Sequence, residues 1–139
     1  MANITIDYTT PYVTREEYLK FKGIDLQKEL QDNDNKSNKV DTFIKDLTNF
    51  VMGRLVRDYA CNDLNVNVMD FAALKEFRRI RFHEGMIEQI EYILNNGLLH
   101  QDSGVISETG QILDYSNIVI SKSALNKFWL GAFCNINRI

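Results

Sequence analysis

The chain has little of what most chemistry requires. Its 139 residues include two histidines, two cysteines, one proline and one tryptophan. Cys61 and Cys134 stand far apart in apolar or helical contexts, which points to two reduced, packed thiols rather than a disulfide framework. No run reaches the roughly 18 apolar residues of a membrane span, so no membrane contact is expected. The N-terminus lacks the basic and then apolar order of a secretory signal, and the expected place of synthesis is the cytosol. Neither a Gly-rich phosphate loop before a lysine nor a nucleophile-elbow sequence is present. His83-Glu84 begins like a helical zinc motif, but Ile87 stands where its second histidine is needed, and His100 is the only other histidine. Without a constellation of acid, base and nucleophile, the expectation is a protein that is not an enzyme and has no catalytic, metal or cofactor site.

What is present suits one folded domain: ordinary single-domain length, and 45% hydrophobic residues to build a core. The net charge of -3 does not supply the broad positive field of a typical nucleic-acid binder. The densest basic patch is Arg78, Arg79 and Arg81, flanked by Lys75, Phe77 and Phe82 and close to Glu76 and Glu84. Guanidinium groups there could meet phosphate, which predicts steep salt dependence. The simpler reading is a surface cluster that pairs with carboxylates of a neighbouring subunit, since Arg forms bidentate pairs. Glu84, Glu88 and Glu91 follow on one helix face, as acid–base groups, cation ligands or, most simply, a solvated charged face.

Along the chain, residues 1–13 read as an extended arm containing Pro11. Thr14 can cap a short helix whose first turn holds Glu16 and Glu17 and which Gly23 can close in a left-handed conformation. A second short helix runs from Ile24 to about Leu30, followed by the polar loop Gln31 to Asn38. Val40, Phe43, Ile44, Leu47, Phe50, Val51 and Leu55 keep helical spacing up to about Cys61. A second long helix is expected from about Met69 to Asn96, where Gly85 would permit a close helix contact or a slight bend. Folded back on one another, these two form an antiparallel pair and complete a helical body over residues 14–98. Residues 99–121 read as a projecting loop or hairpin, with its turn near Ser107 to Gly110.

The last 25 residues, Tyr115 to Ile139, contain no acidic residue but carry Lys122, Lys127 and Arg138. Leu125, Phe128, Trp129, Ala132, Phe133 and Ile136 recur at intervals of three and four, the spacing of one apolar helix face. Such a stripe must be covered, either by the protein's own core or by a partner.

The layout from Val13-Thr-Arg-Glu-Glu-Tyr-Leu-Lys-Phe-Lys-Gly-Ile24 through the polar loop, two long helices, a glycine-containing loop and a short C-terminal segment resembles tailed-bacteriophage head-tail connector, or adaptor, proteins. The likeness is one of organisation over most of the chain, with the opening helix its most specific cue. It implies a mainly α, non-catalytic virion protein: a dodecameric ring beneath the portal protein, joined to a stopper or tail-completion protein in the neck of the virion. DNA would pass non-specifically through the channel. On that resemblance residues 122–139 form a docking segment, with Leu125, Lys127, Phe128, Trp129, Phe133 and Arg138 meeting the portal. Arg78, Arg79, Arg81, Glu84 and Glu88 would lie between subunits. The alternative is a small helical regulator that binds nucleic acid through Arg78, Arg79 and Arg81.

Overall fold

The structure, a computed structural model, describes residues 5–30, 39–59, 61, 71–96 and 118–133. It is mainly helical, with no strand among the described residues. The polar loop at 31–38, most of the 99–121 loop, Cys134, Ile136 and Arg138 lie outside those residues.

The first helix forms as its sequence predicts. In α1 (Arg15–Lys22) the Thr14 hydroxyl accepts from the Glu17 amide at 3.1 Å, and Gly23, at φ 70°, donates its N–H to the Leu19 carbonyl. The short α2 (Leu26–Glu29) starts two residues later than expected because Asp25 serves as its cap, accepting from the Gln27 amide. The same carboxylate takes a two-pronged contact from Arg15 at 2.8 and 3.0 Å, which fixes the angle between α1 and α2.

The long helix α3 (Lys39–Tyr59) buries Val40, Phe43, Ile44, Leu47, Val51 and Leu55 as its spacing predicts, but Phe50 of the expected stripe is only partly buried and Met52 is buried instead. Cys61 lies beyond its end, where its amide donates to the Leu55 carbonyl and its side chain is buried.

The second long helix is shorter than expected. A 3-10 turn at Phe71–Ala73 precedes it, Lys75 has extended backbone, and α4 spans Glu76–Asn95. Phe71 therefore enters the core from the turn, whereas Phe77 is 53% exposed in the first helical turn.

The last helix, α5 (Lys122–Leu130), is capped by Ser121, whose hydroxyl accepts from the Ala124 amide. It runs antiparallel to α4, as its contacts show: Gln89 meets Val119 and Ser121, Gly85 meets Phe128, and Arg78 meets Gly131 and Ala132. Here Gly85 does what the sequence suggests. A β-carbon at this position would lie well inside the van der Waals surface of the Phe128 ring, so only glycine lets the two helices come this close.

The helix expected to carry the C-terminal stripe onward stops at Leu130. Ala132 takes a left-handed φ of 64°, its N–H donates to the Trp129 carbonyl, and the Phe133 N–H donates to the Phe128 carbonyl at 2.8 Å. That pair of bonds closes the helix and turns Phe133 back into the core beside Phe82.

Candidate functional site

Two polar clusters and one cleft adjoin α4. The buried cluster joins α1, α4 and the N-terminal arm. His83 and Glu17 are 0% and 1% exposed, and His83 Nδ1 lies 2.9 and 3.0 Å from the two Glu17 carboxylate oxygens. On its other side His83 Nε2 is 2.7 Å from the Thr10 carbonyl. A carbonyl only accepts, so Nε2 carries a hydrogen, and a second proton lies between Nδ1 and Glu17. Without that proton a lone pair would face a carboxylate in a site that excludes water. The Tyr8 ring packs edge-on to the imidazole at 4.8 Å, and Arg79 donates to the Tyr8 carbonyl at 3.2 Å. His83 and Arg79 thus hold the arm by its backbone.

The second cluster lies one to two turns further along α4. Lys22 bridges Glu88 at 2.8 Å and Glu91 at 3.2 Å, with every member partly exposed. Hydrogen bonding to Glu88 is the first cause that raises the Lys22 pKa above its ordinary value. Beneath it the Tyr18 phenol is buried without a hydrogen-bond partner among the described residues. Burial, reinforced by Glu91, Glu29 and Glu88, pushes its pKa well above the usual tyrosine range.

Between the two clusters is a cleft of about 240 Å³ bounded by the arm, α1, α4 and α5. Tyr8, Phe21 and Ile87 form its apolar wall, His83 and Glu17 its floor, and Lys127 reaches it from α5. Among the described residues no three His, Cys, Asp or Glu side chains converge in a way that could hold a metal ion.

Of the residues read as an arginine surface cluster, Arg78 and Arg79 bind backbone carbonyls of their own chain and Arg81 stays partly exposed. Arg78 donates to the Gly131 and Ala132 carbonyls and lies 4.7 Å from the centre of the Phe133 ring, so it closes the C-terminal end of α5. Arg79 donates to Leu74 and Tyr8 carbonyls, and Arg81 pairs with Glu84 at 2.8 Å one turn along the same helix. Glu84 and Glu88 both line the cleft.

The choice left open for the C-terminal stripe resolves residue by residue. Leu125, Phe128 and Phe133 are buried against α4 and present no surface for docking; the protein's own core covers them. Trp129 remains 41% exposed and Lys127 half-buried, while Arg138 lies outside the described residues. The buried Glu17–His83 pair was missed in the sequence, where Glu17 reads as a first-turn acid and His83 as half of a failed zinc motif. The signal that could have found it is positional: His83 falls among Phe82, Met86, Ile87 and Ile90 on the buried side of α4, so it requires a hydrogen-bonding partner from another element.

No helix of the described residues is long and apolar enough to cross a membrane. Comparison of the chain with protein-family models, with curated proteins and with solved structures found no match.

Proposed function

We propose that this protein is a head-tail connector of a tailed bacteriophage, a subunit of a ring that joins the portal to the stopper or tail and lets DNA pass through its channel. The observation that carries this reading is the distribution of large apolar side chains that the core leaves in water. Leu19 and Phe21 stand out on α1, and Phe77, Trp129 and Leu130 at the far end of the α4–α5 pair, all between 41% and 53% exposed. A ring subunit needs two unlike adhesive faces, because a ring is built from repeated heterologous contacts that close. Exposed apolar side chains on separate elements meet that need, and the resemblance in layout supplies the context.

The proposal includes the finer architecture of such a protein: α3 and α4 as an antiparallel pair, and a projecting loop near residues 103–120 that touches a neighbouring subunit or ring. Of the residues expected between subunits, Glu84 and Glu88 border the cleft and suit that role best. Nucleic-acid recognition through Arg78, Arg79 and Arg81 is the weaker reading, since each guanidinium already serves a carbonyl or carboxylate of its own chain.

The test is native mass across a concentration series, with negative-stain images of every large species. Closed rings with a central hole are the expected result. A monomer or dimer at every concentration would defeat the proposal.

A further inference from the structure

Residues 5–10 of the arm bury no side chain, whereas Pro11 and Val13, which follow, are buried. The stretch before Pro11 is therefore held by polar contacts and one ring rather than by a core. Those contacts are the Thr10 carbonyl on His83 Nε2 at 2.7 Å, the Tyr8 carbonyl on Arg79 at 3.2 Å, and the Tyr8 ring edge-on to the imidazole. His83 supplies two of the three. Tyr8 also lines the cleft, so the position of the arm sets the shape of that opening.

His83 holds the arm only while both of its ring nitrogens carry hydrogen. A neutral imidazole has one N–H and must choose between its two neighbours. A hydrogen on Nε2 keeps the Thr10 carbonyl but turns the Nδ1 lone pair on the Glu17 carboxylate, 2.9 and 3.0 Å away. A hydrogen on Nδ1 keeps the carboxylate and turns a lone pair on the carbonyl. The full charge decides, because a hydrogen bond to a carboxylate is about twice as strong as one to a neutral acceptor. Glu17 is 1% exposed, with no water to replace the imidazole, and is fixed within α1, whereas Thr10 is exposed and precedes the first buried residue of the arm. The arm is the partner that gives way.

The surrounding charges do not change that order. Asp7 on the arm, Lys22 on α1, Arg79, Arg81, Glu84 and Glu88 on α4, and Lys127 on α5 carry both signs, and none of them bonds either ring nitrogen. The 3-10 turn contributes only the apolar Phe71 ring.

We propose that the second proton of the Glu17–His83 pair latches the arm: while the imidazole holds two hydrogens the arm is closed, and loss of one to solvent frees residues 5–10 to swing about Pro11. The surviving hydrogen settles on Nδ1, Nε2 presents a lone pair to the Thr10 carbonyl, and the carbonyl departs. The Arg79 bond to Tyr8 is then the last polar tie, and the cleft loses the Tyr8 side of its wall. The attachment is present at low pH and lost as pH rises past the point where the pair releases its proton. This latch does not depend on the ring reading.

The test is a pH titration by NMR of protein labelled at histidine, which reads each ring nitrogen separately. His100→Gln identifies the His83 signals, since the chain has two histidines. A range of about pH 5 to 9 stays below the titration of Tyr18 and Lys22, both of which are raised above their ordinary values. The Nε2 hydrogen should be lost with Nδ1 still protonated. In step with it the Thr10 carbonyl-carbon signal should shift and the amides of Tyr8, Thr9 and Thr10 should lose order, while those of α1 and α4 hold. Glu17→Gln removes the conflict: its amide N–H can donate to Nδ1, a neutral imidazole keeps its hydrogen for Thr10, and the arm should stay closed across the range. Loss of the Nδ1 hydrogen in place of the Nε2 one, two protonated nitrogens at every pH in that range, or an arm that keeps its order as Nε2 deprotonates would each overturn the latch. So would a Glu17→Gln arm that opens at the same pH as the wild type. Should that variant fail to fold, the wild-type titration decides alone.

Discussion

Two helices lie against α4, α1 held largely by charge and α5 by shape. Of the eight residues in α1 only Glu17 and Tyr18 are buried, and its ties to α4 are the Glu17–His83 pair and the Lys22 bridge. By contrast α5 places Ala124, Leu125 and Phe128 against α4, with Gly85 cut away to receive the Phe128 ring. The difference teaches where each attachment is vulnerable. Ionic attachment fails when one partner of a buried pair is removed, because the survivor stays charged or unsatisfied in a site without water. Shape attachment fails when volume is added.

The largest effect should come from breaking the buried pair. His83→Ala leaves the Glu17 carboxylate without its partner and releases the Thr10 carbonyl, at an expected cost of about 3–5 kcal/mol. Urea unfolding followed by circular dichroism measures it, and a cost below about 1 kcal/mol would mean that water reaches the site and the pair behaves as a surface one. Next in size is Gly85→Ala. Its methyl group must displace the Phe128 ring or separate the helices, and about 1–3 kcal/mol should be lost. An unchanged midpoint would show that α5 can shift freely on α4.

The two attachments were unequally legible in the sequence. α1 was readable in full because its signals are local: Thr14, Glu17 and Gly23 act within a few residues of each other. The burial of Phe43, Leu47 and Val51 followed from periodicity alone. Long-range polar pairing was not readable, since Glu17 and His83 are 66 residues apart and neither has a spacing that announces the other. Gln89 is a similar case: its buried amide donates to the Val119 carbonyl and accepts from the Ser121 amide, docking the chain ahead of α5. The C-terminal stripe was legible as apolar but not as a helix with an end. The helix is capped by Gly131 at an ordinary φ of -90°, and the left-handed residue is Ala132, one position later.

That misplaced alanine sharpens the shape side of the comparison. A β-carbon at φ 64° crowds the backbone, and a glycine in the same turn does not. Ala132→Gly should therefore stabilise the fold by up to about 1 kcal/mol, the usual scale of the left-handed penalty offset by glycine's freedom in the unfolded chain. A raised thermal midpoint with unchanged helix content is the expected result, and a lowered one would place the turn's rigidity above its strain.

The smallest effect separates the exposed bridge from the buried pair on the charge side. Lys22→Met keeps the aliphatic stem and removes the ammonium that Glu88 and Glu91 share, and at neutral pH it should cost no more than about 1 kcal/mol, less in high salt. Its pH dependence has a definite sign. The folded-state pKa of Lys22 is raised, first by its hydrogen bond to Glu88, so the stability it contributes is fully present below its ordinary value of 10.5 and is lost as pH rises through the folded value. The Tyr18 phenol, whose pKa is also raised by burial, weakens both proteins over the same alkaline range, so the readout is the difference between them. Wild type and Lys22→Met should differ at pH 7 and converge above about 10.5. A difference that persists unchanged into that range would assign the effect to how the methionine side chain itself packs rather than to the lost charge.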